Sequence, residues 1–303
     1  MTPPAITLLV PCHNAGRFLP RLMESVAAQT VPFASFLCYD DGSTDDTAAV
    51  ARSLGLQVIA GKENRGVAHA RNRLAVAAAT EWIHFHDADD LIAPCYVERL
   101  APWCDNGHDV VSCDADWVDE TSREPLLRWR YNPAELARAP LPYLIRQPMS
   151  LNNSVIRRST WNLVEGCDES LAIWEDADVH VRMARSKARF HHVPEVLTWA
   201  LRRQGSFSNN YLRGWRCRLA ALRKYANWPP VAEISKAIAD EAERAAAELV
   251  SLGDPAGATE ALQICRRMGG SPPTTRNPLL RLLKHWLPSL WILRLQSQRR
   301  RRA

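Results

Sequence analysis

WIHFHDADDL, residues 82–91, is the stretch whose reading decides the fold. Trp82, Ile83 and Phe85 belong to a short strand pattern, which then breaks into Asp87, Asp89 and Asp90. Carboxylates packed this closely repel one another unless water, a cation or a cationic ligand compensates. The D-x-D of Asp87 and Asp89 suits a hard divalent ion held by one or two carboxylates plus phosphate oxygens. Taken alone, it reads equally well as an acidic turn ahead of the next helix. What surrounds it decides.

Upstream, strand and helix patterns alternate. AITLLV (5–10) reads as a buried strand, and 15–30 as a helix with Phe18, Leu22 and Val26 at helical spacing. Residues 36–40 form a second strand, 43–54 a helix opened by S-T-D-D with Ser43 or Thr44 as its cap. A third strand over 56–60, an Ala-rich helix over 67–79 and a fourth strand over 82–86 complete the run. This alternation predicts an α/β fold with a mostly parallel sheet and helices on both faces. The polar clusters all fall at strand ends: P-C-H-N (11–14), D-D-G-S-T-D (40–45) and D-A-D-D (87–90). Open parallel sheets bind ligands beyond the carboxyl ends of their strands, so three distant segments are expected to meet there.

Within those clusters, Asp41 reads either as part of a turn or as an acceptor for a nucleobase N–H. Gly66 opens a helix whose N-terminus favours anions, and Arg71 lies one turn further in, within reach of a diphosphate or simply solvated. Beyond Leu91 the pattern loosens: a strand at 109–113, an irregular stretch over 116–148 rich in Trp, Tyr, Arg and Pro, then a strand leading into a helix over 150–161. Glu175 and Asp176 open a further helix, and 211–227, 231–252 and 255–268 read as three more.

The 303 residues carry a net charge of +5, but the charge is uneven. From Arg276 onward there are eight Lys/Arg and no acid, leaving 30 basic against 33 acidic residues in the rest. Leucines, Trp286 and Trp291 interleave with those basic residues, which fits a helix lying on an anionic membrane surface better than a nucleic-acid groove. The alternative is a helix packed on the body. Eight scattered cysteines with no C-x-x-C point to reduced thiols and a cytoplasmic setting. The N-terminus has no charged leader pattern, and no window reaches the ~18 apolar residues of a membrane span.

In their order and spacing, P-C-H-N, D-D-G-S-T-D, N-R-G-V-A-H-A-R-N (64–72) and D-A-D-D resemble the GT-A-fold family 2 glycosyltransferases. The later G-C-D-E (166–169) and W-E-D-A-D-V-H-V-R-M (174–183) look like that family's G-F-D-E and E-D-x-D regions. The resemblance runs from about residue 5 to 208. It implies an inverting transfer of sugar from a nucleotide-sugar donor to a glycan or lipid-linked acceptor, with Mn2+ or Mg2+ as cofactor. It further implies that Pro11, His13, Asn14 and Asp41 line the nucleotide pocket and that Arg71 lies near the donor. Asp87 would support the ribose or a metal-bound water, Asp89 the metal, Asp176 the catalytic base, and Glu175 the acceptor side. Cys167 stands where the family usually has an aromatic, and Gln204 where many members carry His.

Two other readings compete. H-F-H-D-A-D superficially resembles the H-x-H-x-x-D run of a metallohydrolase, and a catalytically silent nucleotide-sugar-binding protein would keep part of the same pocket. The expected organisation is a GT-A domain over 1–208, a helical appendage over 209–275 and a basic amphipathic tail over 276–303, the protein sitting peripherally at the inner membrane face.

Overall fold

The computed structural model describes residues 4–203, 210–271 and 289–300. Gln204 and most of the basic tail lie outside them. The chain forms two compact units, one of residues 1–140 with 147–206, the other of 141–146 with 207–303.

The first unit begins with β1 (Ile6–Cys12), α1 (Leu19–Ala27), β2 (Ser35–Asp40), α2 (Thr47–Ser53), β3 (Gln57–Ala60), α3 (Val67–Ala77) and β4 (Trp82–Phe85). It continues with β5 (Leu91–Ile92), α4 (Tyr96–Cys104), β6 (Val110–Asp119), β7 (Pro125–Trp129) and α5 (Pro133–Arg138). The helix α6 at Pro140–Arg146 interrupts the run and, from Leu141 on, counts with the second unit; the first resumes with a short 3-10 turn, β8 (Ser154–Arg157), α7 (Arg158–Leu163), α8 (Glu175–Arg185) and the long β9 (Phe190–Arg202).

These strands make one sheet in the order β3-β2-β1-β4-β8-β6-β9-β5, with β7 paired to β6. β3, β2, β1 and β4 run parallel, as the alternation predicts. Past β4 the sheet is mixed, because β8 enters antiparallel to both β4 and β6. Every residue of β1 and β4 is buried, which is why both read as near-continuous apolar runs. The core gathers on these strands: Leu8, Val10, Trp82, Leu22 of α1 and Tyr96 of α4 pack in one cluster.

The second unit is helical, with α9 (Tyr211–Tyr225), α10 (Ala232–Ser251), α11 (Pro255–Arg267) and α12 (Ser289–Arg300). α10 and α11 form a hairpin, and α12 lies against both, with Ile292 and Leu293 buried and Trp291 58% exposed. Arg266 Nη2 donates to Ser289 Oγ at 2.8 Å. No described helix is long and apolar enough to cross a membrane. All eight cysteines are free, six of them buried.

Candidate active site

The register of β1 on β2 sets Cys12 opposite Asp40, so the P-C-H-N and D-D-G-S-T-D loops leave the sheet side by side. Pro11 is buried inside β1, opposite Tyr39. Asn14 has φ 51°, a left-handed conformation that asparagine tolerates better than most residues. In that pose its amide donates to Ser43 Oγ at 2.9 Å and its Oδ1 accepts the Thr44 amide at 2.9 Å. His13 Nδ1 donates to the Asp41 carbonyl at 2.9 Å, and its Nε2 accepts from Asn14 Nδ2 at 3.2 Å. The loops are thus stitched together by His13 and Asn14. Ser43 and Thr44 do not cap α2, contrary to expectation, because Asn14 engages them. The helix starts later, at Thr47, whose amide binds Asp45 and whose Oγ1 accepts the amides of Ala15 and Gly16.

Asp41 is 2% exposed, and its carboxylate accepts the amides of Arg65 at 3.1 Å and Gly66 at 2.7 Å. Those amides precede α3, where the sequence suggested an opening for anions, and they are directed at Asp41 instead. Gly66 has φ 97°, which favours glycine and lets the chain turn into the helix. On α3, Asn72 donates to the Cys167 carbonyl at 2.9 Å and accepts its amide at 2.8 Å. Glu169 receives His69 Nδ1 at 3.1 Å, so the G-C-D-E segment is clamped along α3.

Arg71 is buried at 3% exposure and joins two segments distant in sequence. Its Nη2 donates to Asp87 Oδ1 at 2.7 Å and its Nη1 to Glu175. Burial disfavours the guanidinium charge, but Asp87 and Glu175 outweigh it and hold Arg71 protonated. One cation faces two carboxylates here, with Asp176 close behind. Burial pushes the Glu175 carboxyl up to about 8, with Asp176 and Asp87 adding to the effect and Arg71 opposing it. Burial also raises Asp176, against the pull of Arg71, the Ala177 amide and Ser150. Both acids open α8, where the positive end of the helix dipole favours them. They are aimed by Trp174, which turns the chain at φ 84°, an unusual and costly conformation for a bulky residue.

The three carboxylates of D-A-D-D each have a separate partner. Asp87 pairs with Arg71. Asp89 pairs through Oδ2 with Arg203 at 2.7 Å, and its carbonyl accepts Arg21 Nη2 at 3.0 Å. Burial and the neighbouring Asp87 still raise the Asp89 carboxyl. Asp90 is structural: it is buried, accepts the Leu201 amide at 2.9 Å and is held by Asn152 Nδ2. Asn152 Oδ1 also accepts the Asp87 amide at 3.2 Å, and the Asn152 amide donates to Ser150 Oγ at 3.3 Å. Ser150 in turn hydrogen-bonds Asp176. Residues 150–152 therefore tie the D-x-D turn to the E-D turn. Sequence reasoning passed over them; the only signal was a polar run, S-L-N-N-S, at the mouth of a buried strand.

His84 and His86 are wholly buried. His84 Nδ1 lies 3.0 Å from both the Ser154 carbonyl and Tyr96 Oη, and its Nε2 lies 3.2 Å from His86 Nδ1. Burial holds His84 well below its ordinary range and His86 near 3, so both are neutral core groups. The H-x-H-x-x-D resemblance to a metallohydrolase has no geometric basis here.

No group of three or more His, Cys, Asp or Glu among the described residues could cage a metal ion. What Asp87 and Asp89 offer is a pair of hard oxygen donors at the strand end. That set fits a divalent ion of the kind that keeps most of its shell for water and phosphate oxygens, and does not fit one needing an all-protein cage.

Comparison with known proteins bears on the family and the fold. Residues 7–167 match the model of glycosyl transferase family 2. An uncharacterized glycosyltransferase, YibD of Escherichia coli, is 29% identical over 44% of this chain and 40% of its own length. The succinoglycan biosynthesis protein ExoU of Rhizobium meliloti is 26% identical over 69% of this chain and 65% of its own. The chain thus spans less than two thirds of these curated relatives. Among solved structures, TarS of S. aureus in complex with UDP-GlcNAc superposes with a TM-score of 0.62 at 17% identity, covering 90% of this chain and 95% of that one. The mannosyltransferase PcManGT of Pyrobaculum calidifontis, in complex with GDP-Man and Mn2+, gives 0.62 at 16% identity, covering 98% and 88%. The fold is the GT-A glycosyltransferase fold. With its strand-end clusters in that frame and the family model covering more than half of its length, the chain belongs to glycosyl transferase family 2.

Proposed function

We propose that this glycosyltransferase moves a sugar from a nucleotide-diphosphate donor to a hydroxyl of a glycan or lipid-linked acceptor, with inversion, in polysaccharide synthesis. The observation that carries the reading is the Arg71-centred cluster, which brings Asp87 of the D-x-D turn and Glu175-Asp176 into one place. Pro11, His13, Asn14 and Asp41 form the loop pair that would receive the nucleoside. Asp89, with Asp87, would hold a Mn2+ or Mg2+ ion. When bound, that ion supplies charge to stabilise the departing nucleoside diphosphate.

Asp176 is the general base. It stands at the positive end of α8, and Ser150 orients its carboxylate. A single displacement, with Asp176 taking the acceptor proton as the hydroxyl attacks, inverts the anomeric carbon. Glu175 is bonded to Arg71 and does not compete for that proton; it sets the acceptor side of the cluster. The domain division at about 208 and an appendage of helices belong to the same reading. So does peripheral contact with an anionic membrane on the cytoplasmic side, supported by the basic end and exposed Trp291 and limited by the burial of Ile292 and Leu293.

The deciding experiment is transfer from a panel of UDP- and GDP-sugars, with and without Mn2+, by wild type and Asp89→Ala. Metal-dependent turnover lost in the variant, with an unchanged melting temperature, supports the reading. Turnover that persists in Asp89→Ala removes the metal assignment, and absence of turnover with every donor favours a silent binding protein.

A further inference from the structure

Next to the carboxylate cluster, the first unit concentrates charge of the opposite sign. Arg17, Phe18 and Arg21 at the start of α1, Glu120 just past β6 and Arg203 just past β9 line a hollow of about 360 Å3. Two of the three guanidiniums are anchored. Arg21 gives Nη1 to Glu120 Oε1 at 3.0 Å and Nη2 to the Asp89 carbonyl at 3.0 Å. Arg203 pairs with Asp89 at 2.7 Å. Arg17 is exposed and has no acidic partner among the described residues. Phe18 lies between two of them, with the guanidinium carbons of Arg17 and Arg203 at 4.5 and 4.2 Å from its ring centroid. Stacking of this kind fixes the plane of a guanidinium and leaves its N–H edge to bond.

We propose that this hollow is a phosphate-binding site, with Arg17 as its capturing residue and Phe18 and Arg203 setting the geometry. Three cations face one lining carboxylate, and the planar donor fork of arginine matches phosphate oxygens in pairs. Arg21 and Arg203 both touch Asp89, so a phosphate here abuts the D-x-D turn. It belongs either to the donor's diphosphate or to a phosphorylated acceptor. The site itself stands on the lining; only the ownership of the phosphate rests on the sugar-transfer reading.

The test is calorimetric titration of the full chain with inorganic phosphate in chloride buffer, comparing wild type, Arg17→Glu and Arg189→Glu. Arg189 immediately precedes β9, whose thirteen residues put it roughly 40 Å from the hollow. Wild type and Arg189→Glu should bind phosphate alike, and Arg17→Glu should weaken binding at least about tenfold, the worth of one charge-assisted contact. Repeating the titration with saturating UDP or GDP assigns the source: competition marks the donor's phosphate, and independent binding an acceptor phosphate. No binding by wild type, or equal binding by Arg17→Glu, overturns the site and leaves sugar transfer standing. Absent sugar transfer with phosphate binding intact does the reverse.

Discussion

Arg71 illustrates how much one side chain can determine. Its guanidinium is the counter-ion for two carboxylates drawn from different segments, so removing it leaves Glu175 buried and uncompensated. Arg71→Met should cost about 3–5 kcal/mol, read by urea unfolding near neutral pH. The deficit has a predictable pH dependence. Glu175 has a folded-state pKa raised to about 8, so folding favours its protonated form, and the stability this contributes is lost as pH rises through 8. In the variant, where the opposing cation is gone, Glu175 is raised further, so the deficit should widen as pH rises above about 8, where the wild-type carboxyl ionises beside its cation, and stay level below it. A deficit that does not change across pH 8 contradicts this account. At Asp176 the expectation concerns rate: Asp176→Asn should bind donor and lose roughly two to four orders of magnitude in turnover, as for a general base. Ser150 lowers the Asp176 pKa by hydrogen bonding, so Ser150→Ala should push it further up. The acidic limb of kcat then moves to higher pH, with near-wild-type rates well above it. An unmoved limb would show that Ser150 has no influence on the base.

At the scale of elements, legibility followed periodicity. β1, β2 and β4 announced themselves as apolar runs closed by polar clusters, because strands covered on both faces admit little else. The convergence of those clusters could be inferred from topology alone. Boundaries failed where side chains competed with backbone: Ser43 and Thr44 looked like helix caps, but a left-handed Asn14 thirty residues away holds them. Ser150 and Asn152 were not legible at all, since their partners lie on other elements and their spacing obeys no period. Arg21 and Arg203 escaped for the same reason; nothing in the sequence says that α1 and the end of β9 meet at Asp89. The 150–152 turn carries its own prediction. Asn152→Ala removes a donor from buried Asp90 and an acceptor from the Asp87 amide, and should destabilise by about 1–3 kcal/mol. Turnover should fall beyond what stability explains, measured at a temperature where the variant is fully folded; a proportionate loss would make the turn purely structural.

For the whole molecule, the charge asymmetry sets the experiment. Residues 299–302 are four consecutive arginines, each contributing about 1 kcal/mol near an anionic surface. Deleting 295–303 should release the protein from anionic vesicles in flotation assays while leaving Ile292 and Leu293 seated on α10 and α11. Deleting 276–303 removes those two as well and should yield an aggregating protein. If the shorter deletion still floats with vesicles, attachment lies elsewhere. The division of the chain has a different bearing. Residues 141–146 belong with the helices that begin sixty residues later, with Leu144 and Ile145 buried and Arg146 paired to Asp240 at 3.1 Å. The helical unit is therefore not a bead that can be cut off at its linker. A recombination event, natural or engineered, that exchanged everything after residue 207 would carry over a bundle lacking one of its own pieces. That piece would be stranded in the parent, with two apolar side chains and a cation seeking what they had lost. Successful shuffling of this chain has to move two segments at once, or mutate the orphaned six residues to suit their new company.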